Sequence, residues 1–318
     1  MQEELEFCAN SVCVDNLEHL SEEASIIAEE RIIEITEYAD RLLSSAVDIL
    51  GESIGVYEIL SLMSECLLLG ESTIHANPLH ENICLILPFM RACSTYDKAF
   101  FCKLLANCAE KRGFDFSEKA FLPVVKGSNN FAYVRNQFSD EAFDVFSLEF
   151  EDARVKYFSN FAECVKSVAD GESTYCLLPL EERGGVRLHA VSELMFRHDL
   201  KINSVTPVFG IDNSVDMKYA VLSKAFLLEE ADEDDDRYLE IRIDSSSELS
   251  IAELLGAAAF FGHSVYRVNT VTFETEEGKK SYHTVVFRGE NVDFSALLSF
   301  LTLFAKDYVA VGVYKNLE

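Results

Sequence analysis

The sequence predicts a multidomain fold: an α-helical N-terminal region, an α/β unit, and a C-terminal α+β unit in β-α-β-β-α-β order. Three observations predict it. Apolar residues recur at helical spacing up to about residue 112; from Asn130 short apolar runs alternate with helical patterns; and six elements follow an acidic run at 229–236. The expected boundaries are 1–127, 128–228 and 237–318.

In the first region Ser21 offers a helix N-cap, and Ile26, Ile27, Ile32, Ile33, Ile35, Leu42 and Leu43 repeat as on a helix face. Further helical segments are read at 56–69, 78–91 and 96–112, each bounded by Gly or Pro. Cys66, Cys84, Cys93, Cys102 and Cys108 fall inside these patterns and are expected to fill core. His75 and His80 are five apart, which does not place both on one helix face, so no metal site is read.

In the second region strands are expected at 131–134, 155–158 and 175–178. Helices are expected at 139–147, with Ser139 as N-cap, at 160–169, and at 189–198. Strand-like runs at 203–209 and 219–222 complete an α/β unit with a mostly parallel sheet. The stretch 174–202 organises this unit. An apolar strand, Tyr175-Cys176-Leu177-Leu178, leads into a Gly-bearing loop, Pro179-Leu180-Glu181-Glu182-Arg183-Gly184-Gly185, and then a helix. Such loops at strand ends are where α/β proteins hold small ligands.

The run 229–236 reads as a solvated linker, because it cannot bury itself. Strands at 238–243, 265–272, 282–287 and 309–314, with helices near 251–258 and 294–304, give a ferredoxin-like order.

The chain has 27 Lys and Arg against 55 Asp and Glu, a net charge of -28. Such a surface repels phosphate backbones and anionic lipid, so neither a nucleic-acid nor a membrane partner is expected. Met1-Gln2-Glu3-Glu4 lacks the basic flank of a signal peptide, and nine cysteines without CxxC spacing suit reduced thiols. A cytoplasmic protein is the expectation. No dinucleotide, P-loop, zincin or nucleophile-elbow motif occurs, so no cofactor or metal is expected.

Residues 130–318 resemble the prephenate dehydratase family, in which a periplasmic-binding-protein-like catalytic domain precedes a regulatory ACT domain. Four segments carry the resemblance. Phe131-Ala-Tyr-Val with Gln137-Phe-Ser139-Asp-Glu-Ala142 resembles the family's opening strand and T-F-S turn. Ala169-Asp-Gly-Glu-Ser-Thr-Tyr-Cys-Leu-Leu-Pro-Leu-Glu181 resembles its A-D-Y-G-V-V-P-I-E-N-S segment. Glu193-Leu-Met-Phe-Arg-His-Asp-Leu-Lys-Ile202 resembles the following helix, and Asp307-Tyr-Val-Ala-Val-Gly-Val-Tyr314 the strand that closes the ACT domain.

The resemblance places family-equivalent catalytic positions at Glu181, Glu182, Arg183, Met217, Lys218 and Tyr219. Dehydration needs a donor for the departing hydroxyl and donors for two carboxylates. Here Glu182 and Arg183 replace the loop's amide and hydroxyl. Met217 stands where the family has a Thr, and a thioether has no proton to give. Lys218 keeps the charge of the family's Arg without its fork. Only 203–212 separates the helix from this motif, where the family inserts a second lobe. The α/β domain is therefore expected to be truncated and without dehydratase activity.

Ser139, Arg183, Gly184, Gly185, Arg187 and His189 are candidates for holding a small carboxylate or amino-acid ligand. Arg183 and Arg187 also have many carboxylates around them with which to pair. By resemblance, Ser250, Ile251, Asn269 and Thr270 are the ACT ligand candidates, although the family's Gly is missing there. A homodimer through the ACT domain is also implied. The N-terminal region stands where some members carry a chorismate mutase domain. Its basic residues, Arg31, Arg41, Arg91, Lys98, Lys103, Lys111 and Arg112, show no arrangement suited to that dianion.

Three readings stand at this point. The preferred one is an inactive prephenate-dehydratase-like regulatory or oligomer-forming module. The alternatives are a dehydratase with a rebuilt site, with or without mutase activity, and a structural partner-binding protein.

Overall fold

The computed structural model describes residues 93–318, except 112, 114, 151, 211–213, 229–235, 276–277, 291–292, 306 and 318, together with Ile33, Glu37, Arg41 and Ser44. The helices expected at 56–69 and 78–91, His75, His80, Cys66, Cys84 and most of the acidic run lie outside the described residues. So does the side chain of Cys108.

Helix α1 (Thr95–Lys111) buries Ala99, Cys102, Leu105 and Ala109, spaced three and four apart as a helix face requires. The remaining elements alternate. They are β1 (Asn130–Tyr133), α2 (Gln137–Phe146), β2 (Arg154–Tyr157), α3 (Phe161–Ala169), β3 (Tyr175–Glu182), β4 (Val186–Arg187) and α4 (His189–His198). Strands β5 (Lys201–Phe209) and β6 (Val215–Ser223) follow. Then come β7 (Asp236–Asp244), α5 (Ile251–Phe260), β8 (Ser264–Thr275), β9 (Gly278–Glu290), α6 (Ser295–Phe304) and β10 (Val309–Asn316).

Among the described residues all ten strands join one mixed sheet in the order β2-β1-β3-β6-β5-β10-β7-β9-β8, with β4 hairpinned onto β3. The last four form a β-α-β-β-α-β unit whose neighbours are all antiparallel. The parallel pair β10–β5 fuses that unit to the α/β sheet. β2 and β8 are the sheet's two edges.

Strand alternation decides which side chains meet. In β7, Leu239, Ile241 and Ile243 face the core under α5, α6 and α1, while Tyr238 joins the core of the opposite face. That opposite face carries α3 and α4 through Val165, Val168, Val191 and Met195. Helix α2 covers the other side of β1, β3 and β6 through Ala142 and Phe146.

Four expectations need correction. Ser139 is not the N-cap of α2: Asn136 is, accepting from the Ser139 amide at 3.0 Å, while the Ser139 hydroxyl accepts from the Asn136 amide at 2.9 Å. This capping box contributes about 1 kcal/mol. The stretch Pro179–Glu182 is strand rather than loop. A register shift between Pro179 and Glu181 absorbs the amide that proline lacks. The α/β sheet is mixed rather than mostly parallel, because β6 runs antiparallel to both β3 and β5. The two central strands of the C-terminal hairpin are also longer than expected, because cross-strand pairing continues beyond their apolar cores to Thr275 and Gly278.

Cys93, Cys102, Cys164 and Cys176 are buried free thiols, and burial pushes Cys164 up to about 12. His263, buried against the Phe294 ring with no hydrogen-bond partner among the described residues for either ring nitrogen, is pushed down to about 4 by burial. The unfolded chain therefore binds this proton first. The stability associated with neutral His263 is complete above the unfolded value of 6.5 and is lost as pH falls to about 4. Chemical denaturation across that window is expected to show a steeper acid loss for the native chain than for His263→Phe. Parallel pH profiles would remove His263 as the cause.

Candidate functional site

Glycines 184 and 185 adopt positive φ (86° and 75°) and close a three-residue hairpin between β3 and β4, with the Gly185 amide donating to Glu182 O at 2.9 Å. The hairpin sets Glu181 and Arg187 opposite each other and aims them across the sheet face at β7 and β8. Two cavities of about 430 Å³ each lie there, sharing Gly185 and Arg267 as a common wall.

The outer cavity is walled by residues 181–185, Ser214, Val215, Lys218 and Tyr266. Pairing of β3 with β6 sets Glu181 opposite Lys218, Glu182 opposite Met217 and Pro179 opposite Tyr219. The six positions that the resemblance marks are thus gathered at one strand end. Four of them are engaged by other side chains or packed into the core. Both oxygens of Glu181 accept from Arg267, one of them from Nη2 at 3.2 Å. Arg183 lies 3.7 Å from Asp216. Met217 packs against the core beneath α2, and Tyr219 is buried there, its phenol pushed up by burial.

The inner cavity lies between α4 and the C-terminal strands. Arg187 Nη2 donates to Glu240 Oε2 at 2.5 Å, and its Nε is 3.7 Å from Glu181 Oε1. Tyr314 donates to Glu240 at 3.5 Å. Glu240 and Glu181 are only 4% and 7% exposed, so this is a buried ionic cluster. Burial would lower Arg187, but Glu240, Tyr314 and Glu181 outweigh it and hold the guanidinium above its ordinary range. Tyr314 is raised well above a free phenol, first by burial and then by Glu240. Arg267 is raised mainly by its hydrogen bond to Glu181.

Arg242 differs from these two arginines. Its guanidinium carbon is 4.5 Å from the Phe196 ring centre, 5.7 Å from Tyr282 and 6.0 Å from Phe273. Burial lowers its pKa, and Asp199, Tyr282 and Glu240 only partly offset that.

Of the ligand candidates, Gly185, Arg187, Asn269 and Thr270 line the inner cavity, and Arg183 and Gly184 the outer one. Ser139, His189, Ser250 and Ile251 line neither. The Ser139 hydroxyl serves its own helix cap. His189 is exposed, its ring stacked 6.3 Å from Phe273. Ser250 caps α5 through Glu253, and Ile251 packs against the core on the far face. Sequence reasoning missed Glu240 and Arg242. Their signal was the alternation Tyr238-Leu-Glu-Ile-Arg-Ile243, which puts two charges on the face opposite three aliphatic residues.

Among the described residues no cluster of side chains suited to a metal ion occurs, and no helix is long and apolar enough to cross a membrane.

No family model matches the chain, and no curated protein does. Solved structures similar to it include the prephenate dehydratase of Streptococcus mutans, at 17% identity and a TM-score of 0.45, covering 60% of this chain and 100% of that one. A structure described as GqqA, a novel type of quorum-quenching acylase, has 17% identity and a TM-score of 0.45, covering 59% and 96%. The prephenate dehydratase of Arthrobacter aurescens in complex with L-Phe has 12% identity and a TM-score of 0.44, covering 58% and 89%.

Proposed function

We propose that this chain is a prephenate-dehydratase-like protein without dehydratase chemistry, and that its ACT-like C-terminal unit senses a small carboxylate ligand. The observation that carries the reading is the pair of contacts at the β3 strand end. Glu181 is held through both oxygens by Arg267 of the C-terminal unit, and Met217 faces Glu182 where the family resemblance calls for a hydroxyl donor. A site for proton transfer needs a free donor within reach of the leaving group. This strand end instead joins the loop to β8, so that whatever occupies the C-terminal unit acts on the loop.

Purified protein incubated with prephenate at neutral pH is expected to form phenylpyruvate no faster than buffer alone. Formation that scales with protein concentration would contradict the reading and favour a rebuilt catalytic site around Lys218, which lines the outer cavity.

A further inference from the structure

We propose that the inner cavity is a binding site for an aromatic monocarboxylate, with Arg242 as the group that receives the carboxylate. The proposal deepens the ligand-sensing reading and rests on it for its site.

Arg242 sets the chemistry of the inner cavity. Among the described residues no carboxylate lies within ion-pair distance of it, and no hydrogen bond from its guanidinium is seen. Its neighbours are the rings of Phe196, Phe273 and Tyr282. Ring faces attract a cation but accept none of its five N–H donors in the in-plane fork geometry. A half-buried guanidinium whose donors no side chain accepts can take an anion from the cavity it lines. It borders a cavity large enough to admit one. The three rings pack around the guanidinium, so less side-chain entropy is lost when a carboxylate docks.

Charge selects the ligand. The cavity's Arg187, Arg242 and Arg267 stand against Glu181 and Glu240, which leaves one positive charge uncompensated. Asp199, the other carboxylate acting on Arg242, is engaged by Lys201 at 2.7 Å. Tyr314 stays neutral, because its phenol is raised well above the ordinary value. A monoanion therefore neutralises the site. A zwitterionic amino acid would leave the charge in place, and a dianion would overshoot it. Since each desolvated charge left unpaired is penalised, this ordering dominates over modest differences in contact area.

Shape selects the body. Beyond Arg242 the walls are Met195, Val271, Phe273 and Val311, which suit a flat apolar ring, with a polar fringe at Asn269 and Thr284. A volume of about 430 Å³ accommodates one ring with a carboxylate arm.

The test uses three probes with the same ring and different charge: phenylacetate, phenylalanine and phenylsuccinate. Full-length protein carrying methyl-13C methionine reports occupancy through the Met195 methyl, assigned by its disappearance in Met195→Leu. Phenylacetate is expected to shift this resonance saturably, with Overhauser contacts to its ring protons. Phenylalanine and phenylsuccinate are expected to bind at least about tenfold more weakly, and Arg242→Met to lose phenylacetate binding by a similar factor. An unmoved Met195 methyl in the native protein overturns the proposal without needing any variant to fold. Equal or tighter binding of phenylalanine or phenylsuccinate also overturns it, as does native-like phenylacetate binding by folded Arg242→Met. The prephenate assay is read separately: turnover there sinks the non-catalytic reading whatever phenylacetate does.

Discussion

Replacing Glu240 by leucine is expected to destabilise the fold by about 3–5 kcal/mol, the range for breaking a buried ion pair from one side. Glu240 is 4% exposed, and Arg187 Nη2 contacts it at 2.5 Å. The Tyr314 hydroxyl donates to the same oxygen at 3.5 Å. Its removal strands Arg187 with only Glu181 at 3.7 Å and takes away one of the charges that offset the burial of Arg242. Leucine fills the volume but accepts no hydrogen bond, so the penalty comes from the partners left behind. The double variant Glu240→Leu with Arg187→Met is expected to recover much of the loss, because it removes both charges together. Denaturation midpoints at unchanged slope measure both effects. A single-variant loss under about 1 kcal/mol would mean that water already screens the cluster.

Gly312→Val is expected to cost about 3 kcal/mol, at the upper end for overpacking. Gly312 sits where β10 meets β5, opposite Ile202, at the seam that fuses the C-terminal unit to the α/β sheet. A Cβ placed there would lie 2.7 Å from Ile202 Cβ, 2.9 Å from Tyr314 Cδ1 and 3.1 Å from the Ile202 carbonyl oxygen. A backbone oxygen in the middle of a ladder cannot move aside without breaking pairing. Ile202 is itself fully buried. Gly312→Ala is expected to show the same direction with a smaller effect, because it lacks the two further methyls. A neutral Val variant, read by thermal melting, would show that the seam is loosely packed.

Much of this architecture could be read from local pattern. The order of the C-terminal elements follows from periodicity switching between two and 3.6, and the capping box at Ser250-Ile-Ala-Glu253 marks the start of α5. Helix α3 begins directly after Asn160, whose side chain accepts from the Glu163 amide at 2.9 Å. Features set by distant residues were not legible. Pro179 and Glu181 read as loop because proline and charge oppose a strand locally, whereas pairing with β6 and a register shift stabilise one. Strand direction in β5 and β6 leaves no trace in composition, so the sheet's mixed character was hidden.

The site divides in the same way. The hairpin residues Arg183, Gly184, Gly185 and Arg187 were legible because glycine pairs and clustered charge stand out in sequence. Glu240 and Arg242 look like ordinary strand polar residues until Arg187, 53 positions earlier, is brought against Glu240. The pairing of Arg267 with Glu181 spans 86 positions. What turns a scatter of charges into a cavity is the fusion of β10 to β5, a long-range event that no local motif announces.

Amide hydrogen exchange shows whether one ligand cavity spans the β3–β4 hairpin and the C-terminal strands. With saturating phenylacetate, exchange is predicted to slow together at residues 184–188 and 267–271, while residues 250–254 at the start of α5 remain unchanged. Protection confined to 250–254, or no change in any peptide, would contradict it.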